Sequence, residues 1–513
     1  PTCSTAGVTC FSYDVAGNLT MVIDARGKIT AFTYDTEDRA ITRTDGLGNS
    51  ESFSYDGNGN VISKTNRNGE TVLLELDAAD QLVKKTLNPG LGNEAITTFT
   101  YDLLGNVVFA NDSDSALGFV YDLVGRLVTA STFGSPSQPD SSLTYTYNKN
   151  GNLLSMNDGT GPAGNPPPDP DPGPAPQGFL WPLEPQWRTA GWNGIQPQWT
   201  LAQTVPTQSQ LYVYDTLNRL TSLTNPEGQN ISFAYDVLSR RTGLTFPNGT
   251  STQSVFDTNN RLTSLTHQKS GSPLSNFGYT YNAINQRTAL STVRSGIPVA
   301  ATSLNYSYDV LNRLTQATRP LTGQVDETFG YDPVGNRLNR DGQTGNSTFD
   351  NGNAIVEDAL FTYVHDANGN ITSKTNKSTN EVTEYSWDAE NRLTTIVERP
   401  GIGQPATKTI AYGYDALDRR IFKNVDGTVT SYIYDGEDIL HEYDGTNVLQ
   451  ARYTHGAGTD EPLIMDRAGT IHYYHADGLG SITELTDNNG DVAQSYLYDS
   501  YGNLLTPITI ENP

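Results

Sequence analysis

The sequence predicts an all-β protein of antiparallel hairpins, and three observations predict it. A Tyr-Asp pair recurs along the chain, with neighbouring copies often 20 to 27 residues apart. Tyr (28) and Gly (48) are abundant, while only 35% of residues are hydrophobic. No stretch shows the 3.6-residue apolar period of an amphipathic helix. Tyr, Thr and Val suit pleated strands, and Gly, Asn and Asp suit the turns between them.

The pair runs from Tyr13-Asp14 to Tyr498-Asp499, with degenerate copies such as Leu76-Asp77, Phe256-Asp257 and Trp387-Asp388, eighteen in all. The residue two before the Tyr position is Phe or Tyr in sixteen of them, Leu74 and Ser254 being the exceptions. A period of two places both aromatics on one face of a strand. Three residues after the Asp stands Gly in eight copies, Asn in five, Asp in four and Ser in one. The first three types best tolerate a left-handed backbone. A sharp turn is therefore expected at Gly17, Gly59, Gly125, Asn218, Asn312, Gly335, Asn391 and Gly502. The Asp would stabilise it by accepting a hydrogen bond from the backbone two residues on.

An apolar residue and a Thr/Ser-rich stretch follow, as in Asn218-Arg219-Leu220-Thr221-Ser222-Leu223, and then a second turn such as Asn68-Gly69 or Pro226-Glu227-Gly228. Asn-Gly between strand-like runs is a hairpin signal. Two strands of roughly seven residues plus two turns account for a repeat of about 21. Eighteen catalytic dyads in one chain would make no chemical sense, so the Tyr is assigned to packing and the Asp to the turn.

A net charge of −25 repels phosphate backbones and anionic lipid, which argues against nucleic-acid and membrane-surface binding. Cys3 and Cys10 are the only cysteines, and either a small disulfide loop or two separate thiols fits them. No apolar run is long enough for a transmembrane helix. The N-terminal residues do not read as a signal peptide, and without an initiating Met the chain is expected to be a processed or trimmed piece of something longer.

The residues closest to a known pattern lie near the C-terminus. Tyr434-Asp435-Gly436 leads to His441-Glu442-Tyr443-Asp444 and Tyr453-Thr454-His455-Gly456; Tyr473-Tyr474-His475-Ala476-Asp477-Gly478-Leu479-Gly480 and Tyr498-Asp499-Ser500-Tyr501-Gly502-Asn503-Leu504 follow. This succession, with the repeats over 11–158 and 208–504, resembles the rearrangement-hotspot (RHS) and YD-repeat family of polymorphic toxins, insecticidal-toxin shells and teneurins. The resemblance implies an extended sheet spiralling into a cocoon-like shell, a bacterial secreted or cell-surface location, and export by a secretion system. It implies an encapsulated C-terminal polypeptide in a longer parent, released by aspartates beyond the Tyr-Gly-Asn-Leu-Leu position. The sequence ends at Pro513, before that segment could be completed, so the expectation for this chain is a structural scaffold and not an enzyme. The expected division is 1–158 and 208–433 as repeat sheet, 159–207 as an insertion, and 434–513 as the family core.

The insertion begins with a Pro-rich stretch, Asn165 to Pro174, whose composition favours extended polyproline structure. Trp181, Trp187, Trp192 and Trp199 follow it. They read as packing that covers a sheet edge or plugs an opening, as a partner-binding patch, or as a platform for carbohydrate. Four of the six histidines fall between His441 and His475, but His472 and His475 are three apart and belong to opposite strand faces, and no zinc-finger spacing occurs. No metal, cofactor or catalytic residue is assigned. The Asp/Asn/Gly loops lack the closing Glu of a calcium loop, and no phosphate loop or nucleophile elbow is present.

Thirty-six strands at ~4.8 Å spacing and ~23 Å length make on the order of 4,000 Å² of sheet. Closed as a sphere, this leaves roughly 9,000 Å³ inside, room for a short peptide and not for a typical toxin domain. A partial shell, a filled β-structure or a unit of a larger assembly is expected, with self-association through sheet edges or the Trp-rich insertion as the alternative to encapsulation.

Overall fold

The structure, a computed structural model, describes residues 7–135, 138–159, 208–294, 303–319, 327–339 and 347–506. Among them are forty strands and no helix, running from β1 (Cys10–Tyr13) to β40 (Val492–Ser495). They form a 25-stranded and a 15-stranded sheet. Each strand pairs antiparallel with its neighbour in sequence, so the chain is one long meander. The break falls between β25 (Glu327–Thr328) and β26 (Thr348–Phe349). These strands at the break are two residues long, which leaves little unpaired edge.

The hairpin turns have one recurring construction. In the repeat at Asp35, the Asp38 N–H donates to the Asp35 carbonyl and the Asp35 N–H to the Arg39 carbonyl. The Asp35 carboxylate accepts from the Glu37 and Arg39 N–H groups at 2.9 and 3.0 Å. This is a three-residue loop whose last residue is left-handed and which ends in a β-bulge, and the pairing register shifts there. Backbone φ is positive at Gly17 (96°), Gly59 (93°), Gly125 (81°), Asn218 (60°), Asn312 (66°), Gly335 (97°), Asn391 (62°) and Gly502 (82°). The copy at Tyr434-Asp435 departs from the rule. Asp435 pairs directly with Asp438, and the left-handed residue is Gly436 (60°), because a two-residue loop closes that hairpin.

Several of the opposite turns use the same construction, while those at Asp426-Gly427, Ser270-Gly271 and Ala468-Gly469 are two-residue loops. Asn68-Gly69 does not form a two-residue turn: the Asn66 N–H donates to the Glu70 carbonyl, which makes a three-residue loop with Gly69 left-handed. The Asn66 side chain takes the Asp's part, accepting from the Asn68 and Glu70 N–H groups.

Contacts across the molecule show how the meander coils. Arg26 donates to the Phe349 and Asp350 carbonyls, Asn68 to Asp366, Lys85 to Glu390, and Tyr145 to Asp435. Further on, Gln229 donates to Tyr473, Asn248 to the Asp487 carbonyl, and the Ser500 N–H to Glu327. The sequence separation of touching partners shrinks from 324 residues at Arg26–Asp350 to 173 at Glu327–Ser500. The second sheet thus lies against the first as a second, shorter circuit, and the spiral tapers.

Twenty-four of the described strands lie between Arg26 and Asp350, a circuit of about 115 Å and a radius near 18 Å at ~4.8 Å per strand. The fifteen strands of the second sheet separate Glu327 from Ser500, and the same spacing gives a radius of about 11 Å. Inward side chains take about 5 Å of each radius, so the narrow end fills and the wide end stays open. Burial follows this geometry. The first buried apolar residue of the described chain is Leu87. The largest cluster joins Leu223, Ile231, Phe233 and Phe246 of the first sheet to Leu463, Ile464 and Tyr473 of the second.

Candidate functional site: the inner face of the spiral

The aromatic two residues before each Tyr-Asp points inward. Tyr145, Phe233, Tyr279, Phe329, Tyr432 and Tyr496 at this position are buried. The intervening residues, such as Val120, Val213, Val255 and Val364, are exposed on the outside. At the wide end the inward residues Phe32, Phe53 and Leu74 are only half-buried, because no other strand covers them.

The Tyr of each pair ties its hairpin to the one before. The Tyr34 hydroxyl donates to the Leu19 carbonyl, Tyr55 to Ala40, Tyr235 to Leu220 and Tyr414 to Leu393, at 2.7 to 2.8 Å. Trp387, in a degenerate copy, makes the same bond to the Ile371 carbonyl through Nε1. A second ladder comes from arginine four residues after the Asp, which the repeat analysis did not single out. Arg219 Nε donates to Asp215 at 2.7 Å and Arg219 Nη1 to the Asp236 carbonyl of the next repeat at 2.9 Å, while the guanidinium lies 4.9 Å from the centre of the Tyr235 ring. Arg39, Arg126, Arg240, Arg261 and Arg313 repeat the arrangement. The signal was in the sequence as Arg at a fixed offset. Charge-assisted bonds to the Asp215 carboxylate, first from the Arg219 backbone N–H and then from its guanidinium, hold its pKa below the usual 3.8.

Polar locks join the two circuits where the interior is filled. Arg294 and Glu484, 3% and 4% exposed, pair at 2.7 Å, and Arg294 also donates to the Tyr496 and Thr483 carbonyls. His441 Nε2 lies 2.9 Å from Asp158, and Arg452 bridges Asp158 to Glu227. The His267 and His475 rings meet between the sheets, 4.9 Å apart and tilted by 60°. Burial lowers the pKa of both; for His475 the neighbouring His267 adds to the effect, while Glu484 opposes it at His267. Burial likewise raises the pKa of Asp435, opposed by the hydroxyl bond from Tyr145.

These groups do not assemble into a reacting centre. Thr252 and Thr486 bond to His267 and His475, but the other ring nitrogens face the Ala476 carbonyl and no partner, respectively. Both rings are closed to solvent. Among the described residues no three His, Cys, Asp or Glu converge to hold a metal ion. His472 and His475 are both buried. Among the described residues no helix is long and apolar enough to cross a membrane. Cys10 is disulfide-bonded, and Cys3 lies outside the described residues.

Trp181, Trp187, Trp192 and Trp199 also lie outside the described residues. The strands Leu153–Gly159 and Gln208–Tyr214 pair antiparallel, Asp158 opposite Gln208, so the first sheet continues across the insertion.

The "Teneurin YD-shell" family model matches residues 279–507, and the "RHS Repeat" model matches 13–50, 55–90 and 214–251. The tRNA3(Ser)-specific nuclease WapA of Bacillus spizizenii is 30% identical over 227 residues, 44% of this chain and 7% of that protein. The double-stranded DNA deaminase toxin A of Burkholderia cenocepacia is 27% identical over 228 residues, 39% of this chain and 15% of the toxin. The chain therefore matches only a small part of the length of these relatives. In solved structures, TcdB2-TccC3-TEV superposes with a TM-score of 0.71 at 15% identity, covering 97% of this chain and 26% of that one. The Photorhabdus luminescens Tc holotoxin pore gives 0.67 at 15% identity, covering 97% and 27%. At these identities the superpositions establish a shared fold. Repeat, spiral and matched models agree: the chain belongs to the RHS/YD-repeat family and has its β-shell fold.

Proposed function

We propose that this chain is a non-enzymatic scaffold that encapsulates or presents a polypeptide lying C-terminal to it in a longer, exported bacterial protein. The observation that carries this reading is the tapering spiral, whose aromatic inner face is packed at one end and half-buried at the other. The relatives named as a nuclease and a deaminase toxin lend it support, because each extends far beyond the matched segment. The test joins an unfolded, protease-sensitive segment after Pro513 and follows its digestion. Protection relative to the same segment on an unrelated carrier is expected, and equal cleavage would overturn the reading.

A second reading, a secreted or surface protein that assembles through its edges, is favoured by one observation. Val15, Leu103, Leu123, Val237 and Val310, each immediately after the Asp of its pair, are 97% or more exposed along the turns of the first sheet. Native mass measurement separates the two, since a self-contained scaffold stays monomeric and an assembling one forms concentration-dependent oligomers.

A further inference from the structure

We infer that the open part of the inner face binds an acidic, extended polypeptide; this rests on the encapsulation reading and names the chemistry of the cargo. The observation is a cross-strand register. The inward aromatic Phe32 stands opposite Arg43 and Phe53 opposite Lys64. In the second circuit Tyr363 stands opposite Lys374 and Tyr412 opposite Lys423. Side chains directly opposite in an antiparallel pair share a face, so these cations line the same inner surface as the aromatics.

The same register in the filled part carries aliphatic residues. Tyr212 faces Leu223, Phe233 faces Leu244 and Tyr279 faces Leu290. The one charge found there is Glu442, opposite Tyr432, and it is consumed internally by the Tyr453 hydroxyl and Arg467. Basic residues occupy this position in four hairpins of the solvated inner face, which also carries Val22 opposite Phe11 and Ile396 opposite Tyr385, and aliphatic residues occupy it where the spiral is packed. Lys85, opposite Leu74, shows what happens at the junction of the circuits: it is 11% exposed and held by Glu390.

Arg43 and Lys64 are 47% and 46% exposed and share a single carboxylate, Glu51, at 3.0 and 3.9 Å. Positive charge therefore exceeds negative in that patch, in a chain whose net charge is −25. Lys64 lies 5.9 Å from the Phe53 ring centre, and Lys374 lies 3.9 Å from that of Phe361. The two cations of the first circuit are one hairpin apart, about 9.6 Å by the interstrand spacing. An extended chain with carboxylates every few residues matches that spacing, and its apolar side chains find the aromatics between. A polypeptide is favoured over a nucleic acid because the encapsulation reading joins one to this chain, whereas a free anionic polymer must first approach a surface of net charge −25.

The experiment uses the full chain and two unstructured fluorescent peptides of equal length that differ only in Glu against Lys. Anisotropy titration should show the acidic peptide binding about tenfold more tightly, with the preference weakening in salt. Arg43→Glu with Lys64→Glu should abolish the preference, and adding Lys374→Glu and Lys423→Glu should reverse it. Lys84→Glu, on the outer face opposite Glu75, should leave it unchanged. Arg43 and Lys64 are exposed enough for the double variant to fold, which circular dichroism checks. Equal affinity for both peptides, or an unchanged preference in the double variant, overturns the inference. An oligothymidylate that outcompetes the acidic peptide also overturns it, by making the lining a nucleic-acid surface. Protection of a fused segment regardless of its charge would remove this inference and keep encapsulation; acidic-peptide binding without such protection would do the reverse.

Discussion

Gly125 has φ of 81° and open space where a side chain would begin, so a substitution there meets backbone strain and no clash. Gly125→Val is expected to cost more than about 1 kcal/mol, since a β-branched residue tolerates this conformation poorly. A urea titration measures it, and Gly125→Asn should lose clearly less. The Tyr of the pair offers a second test at this scale. Tyr235→Phe keeps the packing and removes one hydroxyl bond to the Leu220 carbonyl, so a loss of about 1 kcal/mol is expected. No loss in thermal unfolding would mean that packing alone explains the residue.

In the hairpin turn, one carboxylate serves two backbone donors and, in many repeats, the arginine four residues on. Asp215 accepts from the Leu217 and Arg219 N–H groups and from the Arg219 guanidinium. Its folded pKa lies below the unfolded value of 3.8, so its contribution is complete above that pH and is lost as the pH falls through the folded value. Asp56, held down by the Asn60 N–H and side chain, behaves the same way. Protection of the turn amides beside Asp215 and Asp56, relative to intrinsic exchange, should therefore fall only below pH about 3.8, and Asp215→Asn, which keeps an acceptor, should remove that pH dependence at its own turn. The same element accounts for the hairpin expected at Asn68-Gly69 and sets its loop length. The turn type follows from the Asn66 side chain capping two backbone N–H groups, which favours the three-residue loop over the two-residue one.

For the whole molecule, the junction between circuits sets stability. Arg294→Met strands the Glu484 carboxylate in the packed interior and should cost about 3–5 kcal/mol, whereas Arg294→Met with Glu484→Met should recover most of that loss. A double variant as unstable as the single one would show that the pair does more than neutralise itself. His267 and His475 give this junction its own pH window. Burial puts their folded pKa values below the unfolded 6.5, so both states are neutral above 6.5 and the penalty is nil there. As the pH falls below 6.5 the unfolded chain takes up protons that the folded one refuses, and stability declines. Thermal unfolding should weaken between neutral pH and about 5, above the range in which Asp215 and Asp56 titrate, and His475→Gln should flatten that part of the curve.

The sequence by itself determined the strand, the turn and the face. Tyr, Phe and the residue three after each Asp act on neighbours within one hairpin, where local geometry dictates the outcome, and a repeat displays that geometry many times over. The arginine ladder was equally local and could have been read from its fixed offset to the Asp. Only the tertiary structure decided which hairpins meet. The partners of Arg26, Tyr145, His267 and Arg294 lie 170 residues or more away, and no period relates a residue to one on the next circuit. The taper was hidden for the same reason: each hairpin adds one small rotation, and the radius is the sum of many, fixed only when the second circuit packs against the first. That sum leaves the same inward register solvated beside Phe53 and buried beside Phe233, and so lets one face of one repeat serve as both lining and core.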